Sequence, residues 1–191
     1  MAGILGSMIG LGGGIVIVPV LTFLGFSPQL AASNSLFAAF SNAIASTISY
    51  TIQKRIEYLL GLKLGLLSIP GTILGAFISA DITPSVFKAL FGIVLIVSSV
   101  YIFSKRKIES KTNNLSKKIM VLVVAASFFA GIISSLFGIG GGIVFVPLMV
   151  IAIGLSMKLA APTSQFILLF ASASGMTAHA FLGHPDFYQA L

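Results

Sequence analysis

The feature that most constrains this chain is a stretch that occurs twice. Gly10-Leu11-Gly12-Gly13-Gly14-Ile15-Val16-Ile17-Val18-Pro19 returns as Gly138-Ile139-Gly140-Gly141-Gly142-Ile143-Val144-Phe145-Val146-Pro147. At an offset of 128, residues 3–21 match residues 131–149 at eleven of nineteen positions, and nearly all the mismatches exchange one apolar residue for another. After one extra residue the match resumes: Leu30-Ala31-Ala32-Ser33-Asn34-Ser35 corresponds to Leu159-Ala160-Ala161-Pro162-Thr163-Ser164. This is an internal duplication, and each copy sets a glycine cluster and a proline inside an apolar run.

The solvent for such runs follows from composition. The chain is 57% hydrophobic and 8% charged, and residues 1–53 carry no Asp, Glu, Lys, Arg or His. Between Lys118 and Lys158 lie 39 uncharged residues. These residues cannot build a polar surface, and apolar runs of about 20 residues read as membrane-spanning helices. The expected class is an all-α polytopic membrane protein of two homologous copies with glycine-broken helices, multi-pass in the cytoplasmic membrane, with the lipid bilayer as a partner. Spans are expected at 1–24, 30–52, 64–80, 86–104, 119–153 and 159–182. They form a first repeat of four spans over 1–104, a basic cytoplasmic linker over 105–118, and a second repeat of two spans over 119–191. Six spans leave the second repeat truncated, without counterparts of residues 63–105.

The net charge of +7 does not call for nucleic acid. Nine of the eleven Lys and Arg fall in two segments, Lys54 to Lys63 and Lys105 to Lys118. Positive loops stay cytoplasmic, so these segments read as topology signals. The turns at 25–29 and 81–85 then face outward, and an even number of spans per copy makes the copies parallel. One length strains this count: residues 119–153 as a single helix would run about 52 Å, against a core of about 30 Å. That run must bend or re-enter, and a re-entrant segment changes the parity.

Three consecutive glycines each weaken a helix by about 1 kcal/mol, and Pro19 and Pro147 remove a backbone donor one turn later. The motif therefore reads as a helix break within the membrane, with Gly12, Gly13, Gly14, Gly140, Gly141 and Gly142 at its centre. Close helix packing through small residues is the plainer reading of the same glycines. Freed backbone groups are tolerated at that depth only when buried in protein or lining a wet cavity. A half-helix after the break turns its N–H groups and positive dipole end toward such a cavity, which suits a small anion. Asn34, Ser35, Asn42, Thr163, Ser164 and Gln165, on the span after each break, are the side chains that could complete the site. His179 reads as an interfacial histidine one turn from a helix end.

The doubled G-x-G-G-G-x-x-x-x-P element, with the A-A-x-(T/N)-S element after it, resembles the sulfite exporter TauE/SafE family of membrane permeases. The resemblance covers essentially the whole chain. It departs at Ser33-Asn34 and Pro162, where Ala-Thr or Gly-Thr is expected. It implies about eight spans in two homologous halves and the movement of sulfite, sulfonates or similar anions across the cytoplasmic membrane, usually outward. No cofactor is expected, and a homo-oligomer is left open. With Glu57, Asp81, Glu109 and Asp186 as the only acids, all in loops or at helix ends, the sequence does not read as an enzyme. A passive anion channel and a non-transporting subunit or fragment are the rival readings.

Overall fold

A computed structural model describes residues 10, 12–104 and 117–183. Among these residues the structure is helical: α1 (Gly14–Phe23), α2 (Pro28–Ile52), α3 (Tyr58–Asp81), α4 (Pro84–Ser104), α5 (Lys117–Phe137), α6 (Gly142–Ala152) and α7 (Met157–Phe181). The linker segment 105–116 and the tail 184–191 lie outside the described residues.

Local chemistry sets the boundaries. Ser27 caps α2 by accepting the Leu30 N–H at 3.3 Å, and Pro28 opens the helix where its missing N–H costs nothing. α3 starts at Tyr58, so Lys63 lies in its second turn rather than in a loop. The run 119–153 is not one helix. It divides into α5 and α6 at Gly138–Gly141, where Gly138, Gly140 and Gly141 have φ of +69°, +79° and +77°. α1 and α6 have only 10 and 11 residues. At 1.5 Å per residue each is about 15 Å long, half the thickness of a bilayer core of about 30 Å. Among the described residues, five long helices and two half-length ones stand where six spans are expected.

The direction of each helix follows from its contacts. The Glu57 N–H donates to Thr163 Oγ1 at 3.1 Å, Gly61 faces Phe166, Gly65 faces Phe170, and the Thr72 and Ser174 hydroxyls meet at 2.6 Å. The numbers rise together, so α3 and α7 are parallel. Gly71 against Phe128 and Gly75 against Ile132 make α5 parallel to α3. In contrast, Leu36 packs on Gly175 while Ala39 and Leu168 lie at one junction, so α2 and α7 are antiparallel. The Gln29 amide donates to the carbonyls of Ser79 and Ile82, which sets the start of α2 beside the end of α3.

These directions correct the expectation of parallel copies. Short turns fold α1 back on α2 and α6 back on α7, so α1 and α6 point in opposite directions. Parity failed because α6 crosses only half the thickness that a full span would. The residues 53–57, the end of α4, the start of α5 and the turn 153–156 lie at one end of the bundle. The turns 24–27 and 82–83 and the end of α7 lie at the other. Lys54, Arg55, Lys63, Lys117, Lys118 and Lys158 all belong to the first, basic end.

Burial is arranged with small and polar residues inside. Ser35, Ser68, Thr72, Ser127, Ser134, Ser135, Thr163, Ser164, Gln165, Ser172 and His179 are buried. Phe23 and Phe181 are 92% and 93% exposed, and Ile96, Val97 and Val100 are also exposed on α4. Such a surface suits lipid better than water. Among the described residues, α3 and α7 are long and apolar enough to cross a bilayer. The close α3–α5 contact depends on glycine: a Cβ on Gly71 or Gly75 would meet the backbone of Phe128 or Ile132.

The helix directions are testable in this cysteine-free chain. Thr72→Cys with Ser174→Cys should close an intramolecular disulfide under mild oxidation, because the hydroxyls they replace are 2.6 Å apart. Failure to close it in folded protein would exclude parallel α3 and α7.

Candidate functional site

The two glycine motifs form the starts of α1 and α6. Gly13 and Gly141 are the N-cap residues, at φ of +82° and +77°, a left-handed conformation that glycine adopts without the Cβ penalty. No side chain caps either helix. In α1 the N–H groups of Val16 and Ile17 both return to the Gly13 carbonyl, and in α6 those of Val144 and Phe145 return to Gly141. The Gly142 and Ile143 N–H groups have no acceptor among the described residues. Each start therefore presents the positive end of a helix dipole, equivalent to about half a charge.

The two loops are held by exchange. Ser35 on α2 donates to the Gly138 carbonyl at 2.7 Å, and Ser164 on α7 donates to the Gly10 carbonyl at 2.7 Å. The offsets of 128 and 129 relate these residues, so each motif is tied down by the serine that belongs to the other. Packing follows the same exchange: a Cβ on Gly138 would lie 2.6 Å from Ala32 Cα, and one on Gly10 would lie 2.9 Å from Ala161 Cα. A Cβ on Gly14 would lie 2.5 Å from the Gly138 carbonyl oxygen. The two helix starts thus meet head to head inside the bundle, approached from opposite sides. Beside them, Ser134 is fully buried, its Oγ has no hydrogen-bond partner, and its Cβ is 3.2 Å from where a Cβ of Gly141 would stand.

The family model for the sulfite exporter TauE/SafE matches residues 1–191. The chain belongs to the sulfite exporter TauE/SafE family. The probable membrane transporter protein YunE of Bacillus subtilis is 34% identical over 216 residues, covering 100% of this chain and 79% of the relative. A probable membrane transporter protein of Methanocaldococcus jannaschii is 32% identical over 159 residues, covering 80% of this chain and 59% of the relative. A sulfite exporter TauE/SafE family protein of Arabidopsis thaliana is 40% identical over 65 residues, 34% of this chain and 14% of that protein. No solved structure matches the chain. The TauE/SafE proteins are membrane transporters, and this chain is one of them.

Within this family member, the residues singled out from sequence divide into two groups. Gly12, Gly13, Gly14, Gly140, Gly141, Gly142, Ser35 and Ser164 come together at the meeting of the two helix starts. Thr163 faces away, toward α3, where its hydroxyl accepts the Glu57 N–H and anchors the basic turn. Asn34 is half-buried on α2 and belongs to neither bridge. Asn42 lies one turn beyond Ala39 on α2, with a buried Nδ2 that has no partner. Gln165 is fully buried next to Ser164 on α7.

Pro19 and Pro147 lie inside α1 and α6, five residues beyond the first helical glycine, rather than at the break. The left-handed glycines end the helical path; the prolines only release the carbonyls of Ile15 and Ile143. His179, in the last turn of α7, is fully buried, with Nε2 3.1 Å from the Ser135 carbonyl oxygen. Parallel α5 brings Ser135 beside it, a contact that no spacing in the sequence indicates. Ser134 escaped notice in the same way, because serine in an apolar run reads as ordinary helix packing.

The exchanged bridges predict a matched pair of losses. Ser35→Ala and Ser164→Ala should each destabilise the folded protein in detergent by about 1–3 kcal/mol, the cost of a buried carbonyl left unpaired. Ser41→Ala, whose hydroxyl bonds only to the exposed Phe37 carbonyl of its own helix, should be near neutral. Equal stability of all three would refute the bridging role.

Proposed function

We propose that this TauE/SafE member is a multi-pass permease of the cytoplasmic membrane that moves a small sulfur oxyanion, sulfite or a sulfonate, outward. The observation that carries the reading is the head-to-head meeting of two uncapped helix starts in the interior. Two dipole ends together supply about one positive charge without a buried Lys or Arg, so an anion can be held and released without breaking an ion pair. The unpartnered Ser134 hydroxyl adds a donor beside Gly141. The family's name, sulfite exporter, supplies the anion class.

The two motif-bearing units enter from opposite faces, an inverted arrangement of the kind in which alternating access arises by exchange of conformation between halves. The basic end, with Lys54, Arg55, Lys63, Lys117, Lys118 and Lys158, is assigned to the cytoplasm, where positively charged segments are retained. Ser156 and Lys54 would then share the cytoplasmic side, and Ser27 would face outward.

Flux of radiolabelled sulfite into proteoliposomes tests the site. Gly13→Leu or Gly141→Leu should abolish saturable flux while the protein still inserts, because the side chain occupies the space and strains a left-handed position. Gly141→Ala, which adds about 1–2 kcal/mol of backbone strain, should reduce flux without abolishing it. Ser134→Ala should weaken sulfite binding by about 1 kcal/mol, whereas Ser127→Ala, whose hydroxyl already bonds to the Val123 carbonyl, should leave it unchanged. Native flux in both leucine variants would reject the site.

Single cysteines test the orientation. In intact cells an impermeant thiol reagent should label Ser27→Cys and spare both Lys54→Cys and Ser156→Cys. Labelling of Ser27→Cys and Ser156→Cys from the same side would reject the inverted arrangement.

A further inference from the structure

Where the two motif loops meet, both lean on one side chain. A Cβ on Gly12 would collide with Leu168 Cδ2, and a Cβ on Gly140 would lie 3.0 Å from the same atom and 3.2 Å from Leu168 Cγ. The fourth member of this junction is Ala39, whose Cβ is 3.7 Å from the Gly12 position and 3.4 Å from the Gly140 position. Leu168 and Ala39 are both fully buried. They are also counterparts: position 39 plus the offset of 129 is position 168. The duplication therefore sets two equivalent positions at the meeting point but fills them unequally, with one leucine and one alanine.

The geometry points to Leu168 as the gate between the two helix starts: its side chain closes the space that Gly12, Gly140 and Ala39 leave open. This rests on the transport reading above, whose anion site lies at the same meeting point. Three of the four groups at the junction present no more than a Cβ, so the isobutyl group of Leu168 is the bulk that fills it. A leucine at both counterpart positions would overfill the junction, and an alanine at both would leave it open. One of each closes the junction with a single side chain that turns about two bonds. Opening then needs withdrawal of that side chain or a small shift of α7, with both glycine loops kept in place by the Ser35 and Ser164 bridges.

The test uses a readout that needs no substrate as well as one that does. Ala39→Cys introduces the chain's only thiol at the closed junction. In the purified protein a small charged methanethiosulfonate should modify it slowly. Adding Leu168→Ala should raise the modification rate at least tenfold, and adding Leu168→Met, which keeps the volume, should not. Where Leu168→Ala does not elute as folded protein, Leu168→Val takes its place with a smaller rise. Equal rates with leucine, methionine and alanine at 168 would overturn the gate.

In proteoliposomes, with Ala39 native, Leu168→Ala should raise sulfite flux and admit a bulkier sulfonate such as benzenesulfonate, and Leu168→Phe should block both. Native flux and native discrimination in folded Leu168→Ala would also overturn the proposal. Absence of sulfite flux in the native chain would instead reject the substrate reading, and the thiol rates would then decide the gate by themselves.

Discussion

The structure depends on how two broken backbones are satisfied away from water. Helix breaks inside an apolar bundle release carbonyl and N–H groups that cost several kcal/mol each when left unpaired. Here the carbonyls of Gly10 and Gly138 are met by Ser164 and Ser35. Because each serine belongs to the other motif's partner helix, neither glycine loop can be closed without the other unit in place. The bridges demand close approach, and so the residues around them are small: Gly10 against Ala161, Gly138 against Ala32, and Gly14 against the Gly138 carbonyl.

The same demand explains the bracing role of α3. Gly61 and Gly65 receive the Phe166 and Phe170 rings of α7, while Gly71 and Gly75 bring α3 onto the backbone of α5. One helix thereby locks α5 and α7 in parallel and fixes the frame in which α6 is suspended between them. Tyr58 stacks edge-on against Phe166 at 5.4 Å, and the Thr72 and Ser174 hydroxyls meet farther along. Phe87, Phe91 and Phe137 form a second cluster that seats α4 beside the end of α5. These contacts are packing terms in a bundle whose outer surface is apolar, so shape rather than water exclusion holds the helices together.

A site of the proposed kind, built from backbone poles, would have a functional consequence. Side-chain cations would bind an oxyanion tightly and need counter-charges when empty. On the proposed reading, two helix starts would offer an anion a weaker and permanent field, with nothing to neutralise after release. The polar side chains nearby are hydroxyls and amides, among them the unpartnered Ser134 Oγ and Asn42 Nδ2. Such groups can hydrogen-bond without adding net charge.

The sequence by itself determined the helical class, the apolar solvent and the location of the two breaks. Those properties are written in local composition: uncharged runs, three adjacent glycines, and a spacing that returns at a fixed offset. It also marked Ser35 and Ser164 through the repeat of their motif. What only the tertiary structure decided is direction and partnership. Six full spans imply parallel copies, but α6 reaches only half-way, and the length at which a chain turns back depends on where α5 ends against α3 and α7. The exchange of Ser35 and Ser164, the burial of His179 against Ser135 and the seat of Leu168 between Gly12 and Gly140 each join residues far apart in sequence. Spacing along a chain carries no information about such contacts, because they are set by how whole helices cross.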